Sequence, residues 1–256
     1  SDATIDATTL AATIDSLDFI NGLNTTLMTL ASGATINIDA SEISTILGHE
    51  TGSIVGGSRL TISDQDIVVT GNISVDDANL LSATTTGTVT ASITTTERIT
   101  ELKTLTETSN AYTIVISSAD ATATAEDLSA IDGKTTATID ATAVTSISGT
   151  YDEVTALYES AGVDNLGDES ITLTENLTVT QANVIDGLTT GVVTASIAKT
   201  ESVDSLKTLT GTNNAYTIVI SSADATGRTA ADFNTINGIT TGTIDATAVT
   251  ALTYDT

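Results

Sequence analysis

The chain has 256 residues, of which 33 are acidic and 7 are lysine or arginine, so its formal net charge is −26. This excess of negative charge repels phosphate backbones and anionic headgroups, which argues against nucleic acid and membrane surfaces as partners. The chain contains no cysteine, which excludes disulfides, thiolate zinc sites and thiol catalysis. Aromatic residues make up only 3% of the chain, so a large aromatic-lined pocket is not expected.

The composition is nevertheless that of a folded chain. Hydrophobic residues account for 40% of it, and short runs of isoleucine, valine and leucine recur along its whole length, unlike in disordered acidic segments. No apolar run approaches the roughly 20 residues of a membrane span, so membrane insertion is not expected. The first residues are acidic, with Asp2 and Asp6, so they do not resemble a signal peptide.

Residues 1–82 are predicted to hold degenerate copies of a repeat that becomes regular further on. The segment opens with ATIDATTL at residues 3–10, which resembles TIDATAVTAL at residues 243–252. Its least regular stretches are Thr8 to Gly33 and Leu47 to Gly57. The first of these is consistent with a helical N-terminal cap that covers the edge of a stack of strands.

A long internal repeat dominates the rest of the chain. Residues 85–121 match residues 189–225 at a constant offset of 104, with 28 of 37 positions identical. The register then slips by one residue at Gly227, after which residues 127–147 match residues 232–252. Self-similarity at a fixed period is typical of repeat architectures. The sequence therefore predicts a single solenoid over residues 1–256, with a long repeat at 83–186 and a partial one at 187–256.

Within the long repeat, extended segments recur about every 25 residues. In the first of them Val89, Ala91 and Ile93 alternate with hydroxyl side chains, which is the period of a strand with one buried face. The predicted strands are Gly87 to Ile93, Tyr112 to Ser118, Ala137 to Thr142 and Ser170 to Thr174.

Between these strands the apolar spacing changes to three, as in Ile99, Leu102 and Leu105, which favours a helical turn. Several segments open with a capping-box pattern. These patterns are Thr94 to Glu97, Thr124 to Asp127, Thr150 to Glu153 and Thr229 to Asp232. Glycines that would close helices in a left-handed conformation follow at Gly22, Gly133, Gly187 and Gly238.

A strand and a short helix in about 25 residues predict a β/α solenoid with a stack of parallel strands. The alternative is an all-β right-handed β-helix or β-solenoid, because threonine and β-branched residues favour strands. In that alternative, segments such as Ala143 to Ser148 form second strands.

The strings TTGTVTASI, LKTLTGTNNAYTI and INGITTGTIDATAVTALT begin at Thr85, Leu206 and Ile236. They resemble the Thr/Ala-rich tandem repeats of very large surface or secreted proteins of marine cyanobacteria and of some of their phages. The resemblance covers nearly the whole chain and is closest from Thr85 onward. It implies an extracellular, cell-surface or virion location and a structural or adhesive role, and it supplies no catalytic residues.

Residues that could carry catalysis are few. His49 is the only imidazole, and no nucleophile elbow surrounds a nearby serine. Paired carboxylates occur at predicted helix starts, where an acid favours the positive end of the helix dipole. These pairs are Asp76-Asp77, Glu126-Asp127 and Asp152-Glu153. The sequence therefore assigns no catalytic, cofactor-binding or metal-ligating residue and predicts that the chain is not an enzyme.

Calcium is the one cofactor that the sequence leaves open. Asp39, Asp140 and Asp245 recur in an Ile-Asp-Ala motif on the polar side of predicted strands. However, neither an EF-hand loop nor a GGxGxD-type calcium repeat is present. Diffuse cation binding by the acidic surface is expected instead.

Outward hydroxyl rows suggest a further alternative. Successive predicted strands present Thr88, Thr90 and Ser92, then Thr113, Val115 and Ser117, then Thr138, Asp140 and Thr142, then Thr172 and Thr174. Flat rows of threonine are how ice-binding solenoids order water, although valine and aspartate interrupt these rows. Solvated hydroxyl ladders and glycan attachment explain the same residues.

The sequence as a whole favours a non-enzymatic module, a rigid acidic solenoid segment of an extracellular filament, adhesin, surface layer or phage fibre. Its expected partners are other copies of itself, assembled end to end or laterally, or surface glycans. The alternatives are a polysaccharide-binding or polysaccharide-cleaving β-helix and an ice-binding solenoid. The expected location is extracellular or at the cell surface, with the virion as the alternative.

Overall fold

The computed structural model describes residues 12–13, 28–50 and 60–253. The chain is divided between two compact units. The first unit comprises Ser1–Ala119 and Ala130–Asp140, and the second comprises Asp120–Ser129 and Ala141–Thr256.

The described strands are short, and helices alternate with them along the chain. The strands are β1 (Ala12–Thr13), β2 (Met28–Thr29), β3 (Thr35–Asp39), β4 (Leu60–Thr61), β5 (Asp66–Ile73), β6 (Val89–Ile93), β7 (Ala111–Val115), β8 (Thr122–Thr124), β9 (Ile139–Asp140), β10 (Ser146–Gly149), β11 (Val163–Asp164), β12 (Ser170–Leu177), β13 (Val193–Ile197), β14 (Ala215–Val219), β15 (Arg228–Thr229), β16 (Ile244–Asp245) and β17 (Leu252–Thr253). The helices are α1 (Ile43–Glu50), α2 (Val75–Thr84), α3 (Ile99–Leu102), α4 (Ala125–Asp132), α5 (Tyr151–Glu159), α6 (Val179–Asp186), α7 (Val203–Leu206) and α8 (Ala230–Ile239).

Each unit is built on a parallel sheet. In the first unit the strand order is β1-β3-β5-β6-β7-β9, and β2 pairs separately with β4. In the second unit the order is β8-β10-β12-β13-β14-β16, and β15 pairs separately with β17. The protein therefore belongs to the α/β class, with parallel sheets and interleaved helices, as the sequence predicts.

The long repeat is visible in the strand register. Ile67 on β5 lies beside Val89 on β6, and the corresponding pair in the second unit is Ile171 and Val193. Both pairings shift register before their last residues, so β5 and β12 each carry an irregularity in the second half of the strand. Shifts of this kind bend a strand and turn its side chains. The two units thus reproduce the same local distortion 104 residues apart.

The core follows the predicted alternation. Val89, Ala91 and Ile93 of β6 are buried, while Thr90 between them is exposed. The apolar side chains that are spaced by three after this strand also face the core, since Ile99 of α3 is buried in the same unit. Complete burial of one such aliphatic side chain stabilises the fold by about 1.5–3 kcal/mol.

The predicted strand positions are confirmed, with different ends. β6 and β7 are shorter than predicted, β9 is reduced to two residues, and β12 extends to Leu177. The segment Ala143 to Ser148, which the all-β alternative makes a strand, does contain the start of β10. The segments on either side of it, α4 and α5, are helices.

Two of the predicted capping boxes are confirmed, at Thr150 of α5 and Thr229 of α8. At α4 the Thr124 hydroxyl accepts from the Asp127 N–H at 3.0 Å, so half of that box is present. The prediction of a capping box at Thr94 to Glu97 is wrong. Helix α3 begins at Ile99, and the carboxylate of Glu97 instead caps another helix.

The predicted glycine stops are only partly correct. Helix α4 ends directly before Gly133, and Gly187 is the C-cap of α6. Gly187 has φ −74°, so it is right-handed and not left-handed as expected. Gly238 does not end a helix, because α8 continues to Ile239. Gly22 lies outside the described residues.

Candidate functional site

Buried threonines join neighbouring strands at equivalent places in the two units. The Thr189 hydroxyl donates to the Glu169 carbonyl at 2.6 Å and accepts from the Gly191 N–H at 2.9 Å. In the first unit the Thr85 hydroxyl makes the same two bonds, to the Gln65 carbonyl and the Gly87 N–H. The Thr135 hydroxyl likewise donates to the Tyr112 carbonyl and accepts from the Ala137 N–H. The Thr240 hydroxyl does the same with the Tyr216 carbonyl and the Gly242 N–H. A buried carbonyl or amide without a partner is costly, so these hydroxyls stabilise the contact between strands.

The turn that each of these threonines begins has glycine at its third position in three of the four copies, and Ala137 in the fourth. A Cβ on Gly191 would lie 2.2 Å from the Glu169 carbonyl oxygen, and one on Gly87 would lie 2.4 Å from that of Gln65. Real Cβ atoms do not approach a carbonyl oxygen this closely, so glycine is what allows the turn to lie directly against the preceding strand.

Buried asparagines form a second contact. The Val89 N–H donates to Asn110 Oδ1, and the Val193 N–H donates to Asn214 Oδ1, both at 2.8 Å. The amide nitrogens face different partners. Asn110 Nδ2 donates to the Ser82 hydroxyl at 2.9 Å, whereas Asn214 Nδ2 donates to an Asp186 carboxylate oxygen at 2.6 Å.

A tyrosine lies close to each buried asparagine. Burial raises the pKa of Tyr112 to about 12. Burial, assisted by the charge of Asp186, also raises the pKa of Tyr216. Both phenols are therefore neutral at physiological pH and serve as packing and hydrogen-bonding groups.

Carboxylates complete the first turns of helices that precede them in the chain. Glu97 accepts from the Val75 N–H at the start of α2 at 3.2 Å, and Glu201 makes the equivalent contact with Val179 of α6 at 3.2 Å. Two further contacts of this kind are Glu175 to Tyr151 at 2.8 Å and Asp224 to Val203 at 3.0 Å. Negative charge is favourable at helix N-termini, so part of the acidic composition is structural.

A network of charges occurs in the second unit. Lys207 Nζ lies 3.0 Å from Asp204 and 2.6 Å from Asp232. The Arg228 guanidinium lies 2.9 Å from Asp204 and also pairs with the buried Asp224. The hydrogen bond from Lys207, together with the backbone of Thr229, lowers the pKa of Asp232 to about 2. Hydrogen bonds from Arg228 and Lys207 also lower the pKa of Asp204.

We expect the Lys207→Met substitution to reduce stability at neutral pH more than at acid pH. Because the pKa of Asp232 is about 2 in the fold against an ordinary 3.8, its contribution is present above pH 3.8 and is lost as the pH falls toward 2. Thermal unfolding across this range should show the two proteins converging at the acid end. Lys134→Met is the control, since Lys134 forms no ion pair within the described part of the chain. A constant difference in melting temperature at all pH values would contradict the assignment.

One carboxylate is completely buried. Glu169 is 0% exposed, accepts from the Tyr158 hydroxyl at 2.6 Å and accepts from the Gly167 N–H at 2.9 Å. Burial raises the pKa of Tyr158, and the hydrogen bond from Tyr158 to Glu169 raises it further. The equivalent residue in the first unit is Gln65, which is also buried and bonded to neighbouring backbone. The position therefore requires a polar side chain that satisfies a turn, and it does not require a charge.

The paired acids considered for catalysis begin three separate helices. The pairs Asp76-Asp77, Glu126-Asp127 and Asp152-Glu153 lie in the first turns of α2, α4 and α5, where the sequence places them. His49 lies within α1, and its side chain is outside the described part of the structure.

The aspartates considered for calcium have local roles where their contacts are known. Asp39 caps the turn that follows it by accepting from Ser41, and this hydrogen bond lowers its pKa. Asp245 accepts from the Thr247 N–H at 2.9 Å, which lowers its pKa in the same way. Within residues 12–13, 28–50 and 60–253, no three histidine, aspartate or glutamate side chains are grouped so that they could hold a metal ion.

The outward hydroxyl rows differ from those that the sequence suggests. Thr90 lies beside Ala111, and Ser92 lies beside Thr113, so the neighbour of Thr113 on β6 is Ser92 and not Thr88. Val115 does lie beside Asp140. Thr172 and Thr174 belong to the sheet of the second unit and do not continue this row.

The inward threonines and asparagines were not identified from the sequence. Their signal was present in the repeat itself, because Thr85, Asn110 and their counterparts are retained 104 residues later while neighbours such as Glu107 and Ser109 change.

No helix in the described portion combines the length and apolarity needed to cross a bilayer. Comparison of the chain with protein-family models, with curated proteins and with solved structures finds no match.

Proposed function

We propose that the chain is a non-enzymatic structural module whose units are segments of a β/α solenoid, each coil consisting of a strand and the segment that leads to the next strand. The observation that carries this proposal is the set of hydrogen bonds between coils. Thr85 and Thr189, and Asn110 and Asn214, satisfy the backbone of a neighbouring coil in the same way in both long repeats. A repeat whose buried threonines and asparagines satisfy the backbone of the preceding coil is suited to adding length.

The carboxylates support a structural role over a catalytic one. An enzyme built on a β-helix uses acids gathered in a cleft, with pKa values set for proton transfer. In this chain Glu97, Glu201 and Asp224 accept hydrogen bonds from helix N-termini in neighbouring coils. These acids are held as caps and are separated along the array.

The charge supports a role outside the cell or on a virion. A formal charge of −26 opposes the lateral association that parallel strands invite, and keeps an extended acidic module soluble. A rigid acidic segment of an extracellular filament, adhesin, surface layer or phage fibre fits this combination. Surface glycans are candidate partners for its exposed polar face.

A second copy is the other candidate partner, and a specific edge supports it. Leu252 on β17 is 52% exposed, whereas Ile147, its counterpart on β10, is 0% exposed. Ile147 lies between Ala123 and Ile171 of the neighbouring strands, while the described partner of Leu252 is Arg228 alone. Strand β17 thus presents an exposed leucine at a position that neighbouring strands cover on both sides in β10.

The test is self-association of the full chain. Sedimentation over a range of concentrations should show association of the wild-type protein, and Leu252→Thr should weaken it at least tenfold, because burial of a leucine contributes about 1.5–3 kcal/mol. Val184→Thr is the matched control, since Val184 is 41% exposed on helix α6, away from that edge. Electron microscopy then distinguishes filaments from closed oligomers. A wild-type protein that stays monomeric, or equal effects of the two substitutions, would overturn the proposed edge.

The non-enzymatic part of the proposal has its own test. Acidic and neutral polysaccharides incubated with the protein should release no new reducing ends and no unsaturated products. Release that depends on Asp152 or Glu153, measured with Asp152→Asn and Glu153→Gln, would assign the chain to the polysaccharide-cleaving class instead.

A further inference from the structure

Two Asn-Xaa-Ser/Thr motifs occupy the same place in the two long repeats. They are Asn72-Ile73-Ser74 at the end of β5 and Asn176-Leu177-Thr178 at the end of β12, 104 residues apart. This motif is the acceptor sequence for N-linked glycans when the middle residue is not proline. Both middle residues are buried, which fixes the backbone around each asparagine.

Strand geometry leaves each asparagine open on one side. Asn72 lies beside Ser92 of β6, but on its other flank the pairing with β3 ends at Thr70. Asn176 lies beside Ser196 of β13, and on its other flank the pairing with β10 ends at Leu173. The residues just before each asparagine are exposed as well, so the strand projects toward solvent at this point.

The side-chain amides at these two positions are not used by the fold. Asn79, Asn110, Asn183 and Asn214 all hold neighbouring backbone through their side chains. Asn72 and Asn176 are exposed, and their amides form no hydrogen bond with the described portion of the chain. A group bonded to Nδ2 there would project into solvent without displacing a structural contact.

We propose that Asn72 and Asn176 are acceptors for N-linked oligosaccharide. In this reaction the amide nitrogen forms a bond to the anomeric carbon of an oligosaccharide carried on a lipid pyrophosphate. The bond between that carbon and the pyrophosphate oxygen breaks, the lipid pyrophosphate leaves with the electron pair, and the amide loses one proton. The inference rests on the proposed extracellular role, because the chain meets such a donor only on a secretory route.

The folded structure sets when transfer occurs. The Ser74 hydroxyl accepts from the Asp77 N–H at 3.1 Å, and the Thr178 hydroxyl accepts from the Gln181 N–H at 3.2 Å. Each hydroxyl of the motif is therefore an N-cap of the next helix. A transferase that binds this hydroxyl competes with the cap, so modification precedes closure of the helix during secretion.

The experiment is secretion of the full chain from a eukaryotic host, with Asn24→Gln in every sample because Asn24-Thr25-Thr26 is another such motif. Intact mass should show two glycans, removable by peptide-N-glycosidase, and Asn72→Gln and Asn176→Gln should each remove one. Asn234→Gln, at an exposed asparagine without the motif, should remove none.

The glycosylated protein should also unfold at the same temperature as the enzymatically deglycosylated protein, or higher. Absence of glycan at both positions, while a co-secreted reference glycoprotein is modified, would overturn the proposal. So would a glycosylated fraction that is misfolded. A negative result for glycosylation does not bear on the proposed structural role, because that role is tested separately by the self-association of unglycosylated protein.

Discussion

Replacement of Asn214 with aspartate is expected to destabilise the second unit by about 3–5 kcal/mol at neutral pH. Asn214 is 3% exposed, and its Nδ2 donates to Asp186 at 2.6 Å. Asn214→Asp keeps the oxygen that accepts from the Val193 N–H but replaces the donor with a carboxylate oxygen. Two negative charges then face each other, one on the buried side chain at position 214 and the other on the partly exposed Asp186. The Tyr216 hydroxyl, 3.0 Å from Nδ2, can donate to the new carboxylate but does not offset the second charge.

The first unit provides a matched control. Asn110 is 2% exposed and also accepts from a valine N–H, but its Nδ2 faces the Ser82 hydroxyl. That hydroxyl can turn its proton toward a carboxylate, so Asn110→Asp should cost about 1–3 kcal/mol. Urea unfolding of both variants measures the difference. Equal losses would show that the charge of Asp186 does not act on this position.

Acid should rescue the Asn214→Asp variant. Burial and the neighbouring charge raise the pKa of the new carboxyl in the fold above its unfolded value of about 3.9. The deficit is therefore small below pH 4 and grows as the pH rises toward the folded pKa. Melting temperatures measured against pH should show the variant approaching the wild type at the acid end. A deficit that does not depend on pH would point to lost packing instead.

Alanine in place of Gly191 is expected to destabilise the second unit by about 1–3 kcal/mol. The added Cβ would lie 2.2 Å from the Glu169 carbonyl oxygen and 2.5 Å from its carbonyl carbon. These are backbone atoms of the adjacent strand, so the turn must move away, and the Thr189 hydroxyl then loses its short bond to the same carbonyl. Thermal and urea unfolding measure the loss.

Gly238→Ala is the control, and we expect it to change the stability of the protein in the opposite direction. Gly238 lies inside α8, and an added Cβ meets nothing within 4 Å. Alanine should stabilise that helix by about 0.5–1 kcal/mol, because glycine loses more backbone freedom on folding. Destabilisation by both substitutions would mean that the contact with Glu169 is not what requires glycine at position 191.

Much of the secondary structure could be predicted from local pattern. The alternation of Val89, Ala91 and Ile93 and the spacing of Ile99 and Leu102 are set by which face is buried, and both are confirmed. The ends of elements could not be predicted, because β9 stops after Asp140 for reasons that depend on pairing. Strand pairing also decides which outward residues become neighbours, so the hydroxyl rows could not be aligned from spacing alone.

The role of threonine was predicted only in part. Outward threonines such as Thr90 are exposed as expected, but Thr85 and Thr189 are buried and bond to the preceding strand. Composition does not distinguish the two kinds, although the buried threonines begin Thr-Thr-Gly strings, as at Thr85 and Thr189, whereas Thr90 lies in a strand. The distribution of strands between two units was likewise not predicted, because nothing in the local pattern shows that the consecutive strands β7 and β8 belong to different sheets.

The carboxylate caps make the first turn of a helix depend on a later segment of the chain. In each of these four contacts, the acid lies 21–24 residues after the helix residue whose N–H it accepts. The first turn of each of these helices is therefore complete only once the later segment has folded onto it. Each such helix depends for its N-terminal cap on a segment that follows it in the chain.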